Sequence, residues 1–185
     1  MKHDRVMHDK VMHDFILPIL VLTLICFAVS GALAFMDSIT QPVIAEAASD
    51  RTKTIMNAKI PAAEGFEEID ISGLFNSRFT MEAYKSTNDV GYVIIKGANG
   101  FKSEVIIICG IDNDGKIIAV SVLSHKETAG YGNKMEEASF IDPFIGKDKR
   151  LDGVDTVTGA TYSTRAFIDA VNEAFEIYEI VKGVR

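Results

Sequence analysis

Tryptophan is absent from these 185 residues, and there are only two cysteines and four prolines. Cys26 lies in one uncharged run and Cys109 in another apolar stretch, so the two make no disulfide framework and each reads as a small buried hydrophobe. No C-x-x-C pair occurs, which removes the usual ligand set of an iron–sulfur cluster or a structural zinc. The G-x-G-x-x-G fingerprint of dinucleotide-binding folds is missing as well. Positive charge is in deficit: 19 Lys and Arg face 26 Asp and Glu, for a net charge of −7. Such a chain has no electrostatic footprint for nucleic acid and is poorly suited to lie on anionic lipid. Long uncharged stretches are scarce too, and that scarcity is informative, because there is one.

Residues 15–36 (FILPILVLTLICFAVSGALAFM) hold no charge and are bracketed by Asp14 and Asp37. As a helix, 22 residues rise roughly 33 Å, enough to cross a hydrocarbon core of about 30 Å. Pro18 falls in the first turn, where its missing N–H costs little. Ala32 and Ala34 form an A-x-A-like pair that raises the rival of a cleaved signal peptide. The apolar run is longer than a signal h-region and continues through Phe35 and Met36, which favours a retained anchor. Lys2, Arg5 and Lys10 precede the run, whereas the first cations after it are Arg51 and Lys53. The bias predicts a cytoplasmic N-terminus, a single span in the cytoplasmic (inner) membrane and a domain outside. The whole acidic surplus lies after the run, in residues 37–185, with 23 Asp and Glu against 16 Lys and Arg.

The tail 1–14 repeats VMHDK and VMHDF after KHDR, spacing His3, His8 and His13 five apart. Five residues turn a helix by about 140°, so the imidazoles do not converge, and a solvated tail is a better reading than a metal site. After the span, Pro42 opens a predicted connector helix that ends by Pro61. FEEIDI at 66–71, YVIIKG at 92–97, SEVIIICGI at 103–111 and KIIAVSVLSH at 116–125 read as strands. Asp114-Gly115 between the last two predicts a hairpin whose two central residues have positive φ. A calcium loop at the same place fails, because Gly110 and Ser121 would fall where carboxylates are needed. NKMEEASF reads as a short helix, and an amphipathic helix from about Ser163 to Val181 carries the stripe Phe167, Ala170, Val171, Ala174, Tyr178, Val181. The expected fold class is α+β: one N-terminal transmembrane helix, then an antiparallel sheet packed by helices. The expected layout is 1–14 tail, 15–36 span, 37–65 helical connector and 66–185 globular domain.

Two loops carry chemistry. DTVTGATYST at 155–164 runs small residues into a helix start, where Gly159 and Ala160 let a ligand approach and free N–H groups favour a phosphate. Thr158, Thr161, Ser163 and Thr164 add hydroxyls, and the bland rival is that Thr161 or Ser163 is only a helix N-cap. The pattern D-x-x-[ST]-G-A-T, met by Asp155, Thr158, Gly159, Ala160 and Thr161, resembles the flavinylation motif of FMN-binding domains in the Rnf and sodium-pumping NADH:quinone reductase complexes. Its four-residue core alone would arise by chance on the order of once in a hundred such chains. A second segment adds weight: HKETAGYG at 125–132 is similar to the family's H-x-E-T-P-G-L-G, with His125, Glu127, Thr128, Gly130 and Gly132 matching and Ala129 and Tyr131 departing. Order, length and both signatures, over about residues 15–180, resemble the G subunits of the Rnf electron-transport complex. The runner-up is the typically longer C subunit of the quinone reductase.

The resemblance implies FMN held by a phosphoester on Thr161, placed there by a separate magnesium-dependent flavin transferase that uses FAD. It implies cofactor contacts from Thr158, Gly159, Ala160, Glu127, Thr128, Tyr131 and Asp155, with Tyr131 offering a ring face. It implies partners among the other membrane and redox subunits of the complex, with no direct binding of ferredoxin or NAD. Thr161 is then a tether in an electron-transfer subunit rather than a catalyst. His125 has no evident partner in sequence, and Glu127 either polarises the flavin or caps a turn. Two different classes remain as rivals, a non-redox anchored module that binds a phosphorylated ligand and a structural scaffold. For the predicted orientation, a reporter fused after Arg185 is expected to be active only in its extracytoplasmic form, and cytoplasmic activity would overturn it.

Overall fold

The computed structural model describes residues 16–71, 73–75, 77–130 and 132–183. The His-bearing repeat and Tyr131 lie outside the described residues. The chain divides into two compact units, Met1–Arg51 and Thr52–Arg185. The first helix, α1, is assigned over Leu17–Lys59 and contributes residues to both.

In the first unit, Leu17–Gln41 is 25 residues with a mean hydropathy of 2.6, long and apolar enough to cross a membrane. Three of its hydroxyls bond back within the helix. Thr23 Oγ1 donates to the Ile19 carbonyl at 2.8 Å, Ser38 Oγ to Phe35 at 2.7 Å and Thr40 Oγ1 to Met36 at 2.8 Å. Such back-bonding is how a helix carries hydroxyls where no water competes. The helix passes through Pro42 instead of beginning there. Proline lacks the N–H for one ladder bond, and the flanking helical turns carry the backbone past that single gap.

The second unit holds a five-stranded sheet in the order β1-β2-β3-β4-β5, antiparallel throughout. The strands are β1 (Phe66–Ile69), β2 (Met81–Ser86), β3 (Gly91–Asn99), β4 (Glu104–Asp112) and β5 (Ile117–Ser124). A 3-10 turn (Gly132–Glu136), the short helix α2 (Ala138–Ile141), a second 3-10 turn (Asp142–Phe144) and the long helix α3 (Thr161–Gly183) follow. This is the expected α+β architecture. β2 is not among the strands the sequence predicts, because MEAYKS has no regular apolar alternation; pairing with β3 makes it a strand.

The near-continuous apolar runs of β3 and β4 are explained by cover on both faces. One face, with Ile94, Ile107, Cys109 and Ile111, packs against the predicted stripe of α3, in which Phe167, Ala170, Val171 and Ala174 are fully buried. The other, with Val93, Ile95 and Ile108, is covered by Met56 and Ile60. Phe140, Phe144 and Phe167 close one end of the α3-side core, edge to face at centroid separations of 5.2 to 5.3 Å. Lys96 is the exception in β3. It is 2% exposed, and its ammonium donates to the Gly97 carbonyl at 2.9 Å and pairs with Glu173 of α3 at 2.8 Å. A charge there is tolerated because it is both paired and hydrogen-bonded.

The Asp-Gly hairpin forms, but not with two residues of positive φ. Of its described turn residues only Gly115 is left-handed, at φ 77°. Asp112 N–H donates to the Lys116 carbonyl at 2.9 Å and Gly115 N–H to the Asp112 carbonyl at 3.1 Å, a three-residue loop ending in a left-handed glycine. The deciding group is the Asp112 carboxylate, whose Oδ1 accepts from the amides of Asp114 and Lys116, both at 2.9 Å. From α3, the Tyr178 hydroxyl donates to the Asp112 carbonyl at 2.9 Å and ties the turn to the helix.

Two substitutions separate core from tie. Phe167→Ala is expected to cost about 4 kcal/mol, and Tyr178→Phe about 1 kcal/mol, in chemical denaturation of the whole chain. Equal losses would refute this ranking.

Candidate functional site

The segment after Leu151 reaches α3 through a loop shaped by Thr164, which is fully buried. Thr164 Oγ1 donates to the Ala160 carbonyl at 2.9 Å and accepts from Val157 N–H at 3.2 Å. Ala160 N–H returns to the Val157 carbonyl at 2.9 Å, and Gly159 takes φ 82°, a left-handed conformation that a side chain would strain. Lys134 Nζ donates to the Thr158 carbonyl at 3.1 Å, placing a cation beside the glycine. Helix α3 begins at Thr161, and its first bond across this junction runs from Thr164 N–H to the Ala160 carbonyl at 2.9 Å. The amides of Thr161, Tyr162 and Ser163 therefore precede the ladder and have no intrahelical acceptor. Thr161 is exposed, and its hydroxyl has no hydrogen-bond partner among the described residues.

The second signature comes to the same place through Glu127. Its Oε1 accepts from the amides of Lys102 and Ser103 at 2.9 and 3.1 Å. Its Oε2 accepts from the Ser163 hydroxyl at 2.6 Å and from Phe101 N–H at 3.3 Å. Ser163 is therefore not an N-cap: its hydroxyl is spent on Glu127. Two glycines make the room. A Cβ on Gly132 would collide with the Glu127 Cβ, and one on Gly100 would sit 2.7 Å from Glu127 Oε1. His125 does have partners. Its Nδ1 accepts from Glu127 N–H at 3.1 Å, which leaves Nε2 to carry the proton toward Glu136 Oε1 at 3.2 Å.

These contacts enclose a cleft of about 340 Å³ lined by Phe101, Glu127, Thr128, Gly132, Gly159, Ala160, Thr161, Tyr162 and Ser163. That is within the range of about 300–1,000 Å³ typical of small-molecule sites. Of the residues singled out in sequence, Thr161, Gly159, Ala160, Glu127 and Thr128 line it. Thr158 lies beside it through the carbonyl held by Lys134. Asp155 does not line it; the carboxylate is exposed and accepts from Thr156 N–H at 2.6 Å. Phe101 and Tyr162, 69% and 72% exposed with centroids 5.9 Å apart, are the residues that sequence reasoning missed. The available signal was an aromatic in a Gly- and Ser-bounded strand turn and another directly after the motif threonine.

The electrostatics of the cleft wall turn on one group. Burial pushes the Glu127 carboxyl up, but the Ser163 hydroxyl and the amides of Lys102, Ser103 and Phe101 together outweigh it and hold the group below its ordinary value.

Such a site, with a hydroxyl unpartnered among the described residues, helix-start amides that have no intrahelical acceptor and flanking aromatic faces beside a meander sheet, suits a phosphorylated, ring-bearing cofactor, and residues 100–176 match the FMN-binding domain family. Relatives over most of the chain narrow the class. The chain is 31% identical over 176 residues to the G subunit of the ion-translocating oxidoreductase complex of Vibrio parahaemolyticus, covering 82% of this chain and 83% of that one. It is 28% identical over 167 residues to the G subunit of the proton-translocating ferredoxin:NAD(+) oxidoreductase complex of Clostridium ljungdahlii, covering 84% and 86%. To the G subunit of the ion-translocating oxidoreductase complex of Methanosarcina acetivorans it is 27% identical over 179 residues, covering 89% and 95%. The chain belongs to the family of G subunits of ion-translocating oxidoreductase complexes.

A carboxyl whose folded-state value lies below its unfolded one stabilises the fold fully above the unfolded value of about 4.3, and that stability is lost as pH falls through the folded value. Glu127→Gln is therefore expected to cost about 2 kcal/mol at pH 7, with the gap to wild type narrowing as the pH drops below about 4. Thermal melts of both proteins from pH 7 to 3.5 check this, and a gap that does not change with pH would refute it.

Proposed function

We propose that this chain is the electron-transfer subunit of an ion-translocating ferredoxin:NAD oxidoreductase, with FMN held as a phosphoester on Thr161. The observation that carries the reading is the Thr161 hydroxyl, exposed and unpartnered among the described residues, at a cleft lined by residues of both sequence signatures. When bound, FMN accepts one or two electrons and so links one-electron and two-electron partners. In attachment, Thr161 Oγ1 bonds the flavin-side phosphorus of FAD, the pyrophosphate P–O bond breaks, AMP leaves and the hydroxyl proton is released. A magnesium-dependent transferase performs that step.

The remaining roles belong to the cleft walls. The amides at the start of α3 and the Lys134 ammonium favour the phosphate. Gly159 and Ala160 allow its close approach, and the Thr158 carbonyl fixes Lys134. Thr128 forms one wall, and Phe101 and Tyr162 offer ring faces to the isoalloxazine. Asp155 acts at one remove, by holding the start of the motif loop through Thr156. Residues 1–14 face the cytoplasm, 15–36 span the cytoplasmic membrane, 37–65 connect and 66–185 form the extracytoplasmic domain. Electrons come from and go to the other subunits, with ferredoxin and NAD bound elsewhere in the complex.

Peptide mass spectrometry of the chain co-expressed with the transferase is expected to show the tryptic peptide 151–165 carrying an added FMN, with the colour retained after denaturation. Thr161→Ala is expected to abolish both. A bare peptide from the co-expressed wild type would overturn the reading, and flavin that leaves on denaturation would replace a covalent site with a reversible one.

A further inference from the structure

Ser163 and Glu127 meet in a contact that the phosphoester itself does not require. Residues two apart on a helix point about 200° apart. Fixing Ser163 against Glu127 in the cleft wall, 5% exposed and bonded to Oε2 at 2.6 Å, therefore holds Thr161, which lines the same cleft, on the exposed side of the turn. Thr164, bonded back to the Ala160 carbonyl, sets where the helix starts.

The environment of Glu127 consists of donors. Four of them converge on its two oxygens: the Ser163 hydroxyl and the amides of Phe101, Lys102 and Ser103. A carboxylate is acceptor-only and matches four donors, whereas the NH₂ of a glutamine would turn two further N–H donors toward them. Gly100 and Gly132 both lack the Cβ that would intrude on it. The same carboxylate thus joins the helix start that carries Thr161 and Tyr162 to the β3–β4 turn that carries Phe101. With its acceptor positions taken, Glu127 serves the site by position and not by bonding the flavin.

We propose that the Ser163–Glu127 hydrogen bond is a latch that orients the Thr161 hydroxyl for flavin attachment, so that both are positioning residues. The inference rests on the reading of Thr161 as the flavin acceptor.

The test uses the full chain with the magnesium-dependent transferase and FAD. The rate of flavin incorporation per folded protein is followed by in-gel fluorescence for wild type, Ser163→Ala, Ser163→Thr and Glu127→Gln, with far-UV circular dichroism melts alongside. Misplacement of a reacting group by about 1 Å costs on the order of a hundredfold in rate. Ser163→Ala and Glu127→Gln are expected to load at least about tenfold more slowly while folded, whereas Ser163→Thr, which keeps the hydroxyl, loads near the wild-type rate. The visible circular dichroism of flavin in the fraction of Ser163→Ala that does load is expected to differ from wild type. A folded Ser163→Ala that loads at the wild-type rate, or a loss matching only the loss of folded protein, overturns the latch alone. A wild type that never loads overturns the Thr161 reading and the latch with it.

Discussion

A single carboxylate holds the cleft together. Glu127 takes a hydroxyl from the start of α3 and three amides from the turn between β3 and β4, so segments distant in sequence share one set of hydrogen bonds. A group with so many donors keeps its charge in spite of burial, and a charge 9% exposed is tolerated only when its acceptor sites are filled. His125 and Gly132 in the second signature are intelligible from here. The histidine receives Glu127 N–H, and the glycine yields the space beside its Cβ.

The rest of the second unit serves as a platform for that junction. A long helix can present its first turn to a ligand only if its remaining length is fixed, and α3 is fixed along most of it. Phe167 locks into the aromatic group with Phe140 and Phe144, Glu173 reaches the buried Lys96, and Tyr178 closes on the β4–β5 turn. Rigid support for a site whose hydroxyl is left without a partner among the described residues fits the carrier proposed above, where orientation is what the protein contributes.

The elements legible in the sequence are those whose signal is local. β3, β4 and β5 show as β-branched runs, and α3 shows as a stripe at helical spacing in which every predicted member is buried. β2 was hidden because its residues alternate irregularly and its strand character comes from pairing with β3. The turn at Gly115 was recognisable as a turn, but its type was not. The choice was made by the Asp112 side chain accepting two amides and by a register shift next to Gly110, neither of which a dipeptide shows. Pro42 was misleading for a related reason: proline commonly opens helices, yet a flanking helix can carry one inside it.

Of the candidate site, the sequence by itself determined which segments matter, because small residues, hydroxyls and glycines at fixed spacing are chemical requirements written locally. It also determined that one run is apolar enough to span a membrane, since that property is additive over neighbours. Only the tertiary structure decided that Phe101 stands beside Tyr162, that Ser163 turns inward while Thr161 turns outward, and that Glu127 is committed to donors of the protein. Those pairings join residues 24 or more positions apart, and a hydrogen bond depends on a distance of about 3 Å that linear order does not encode.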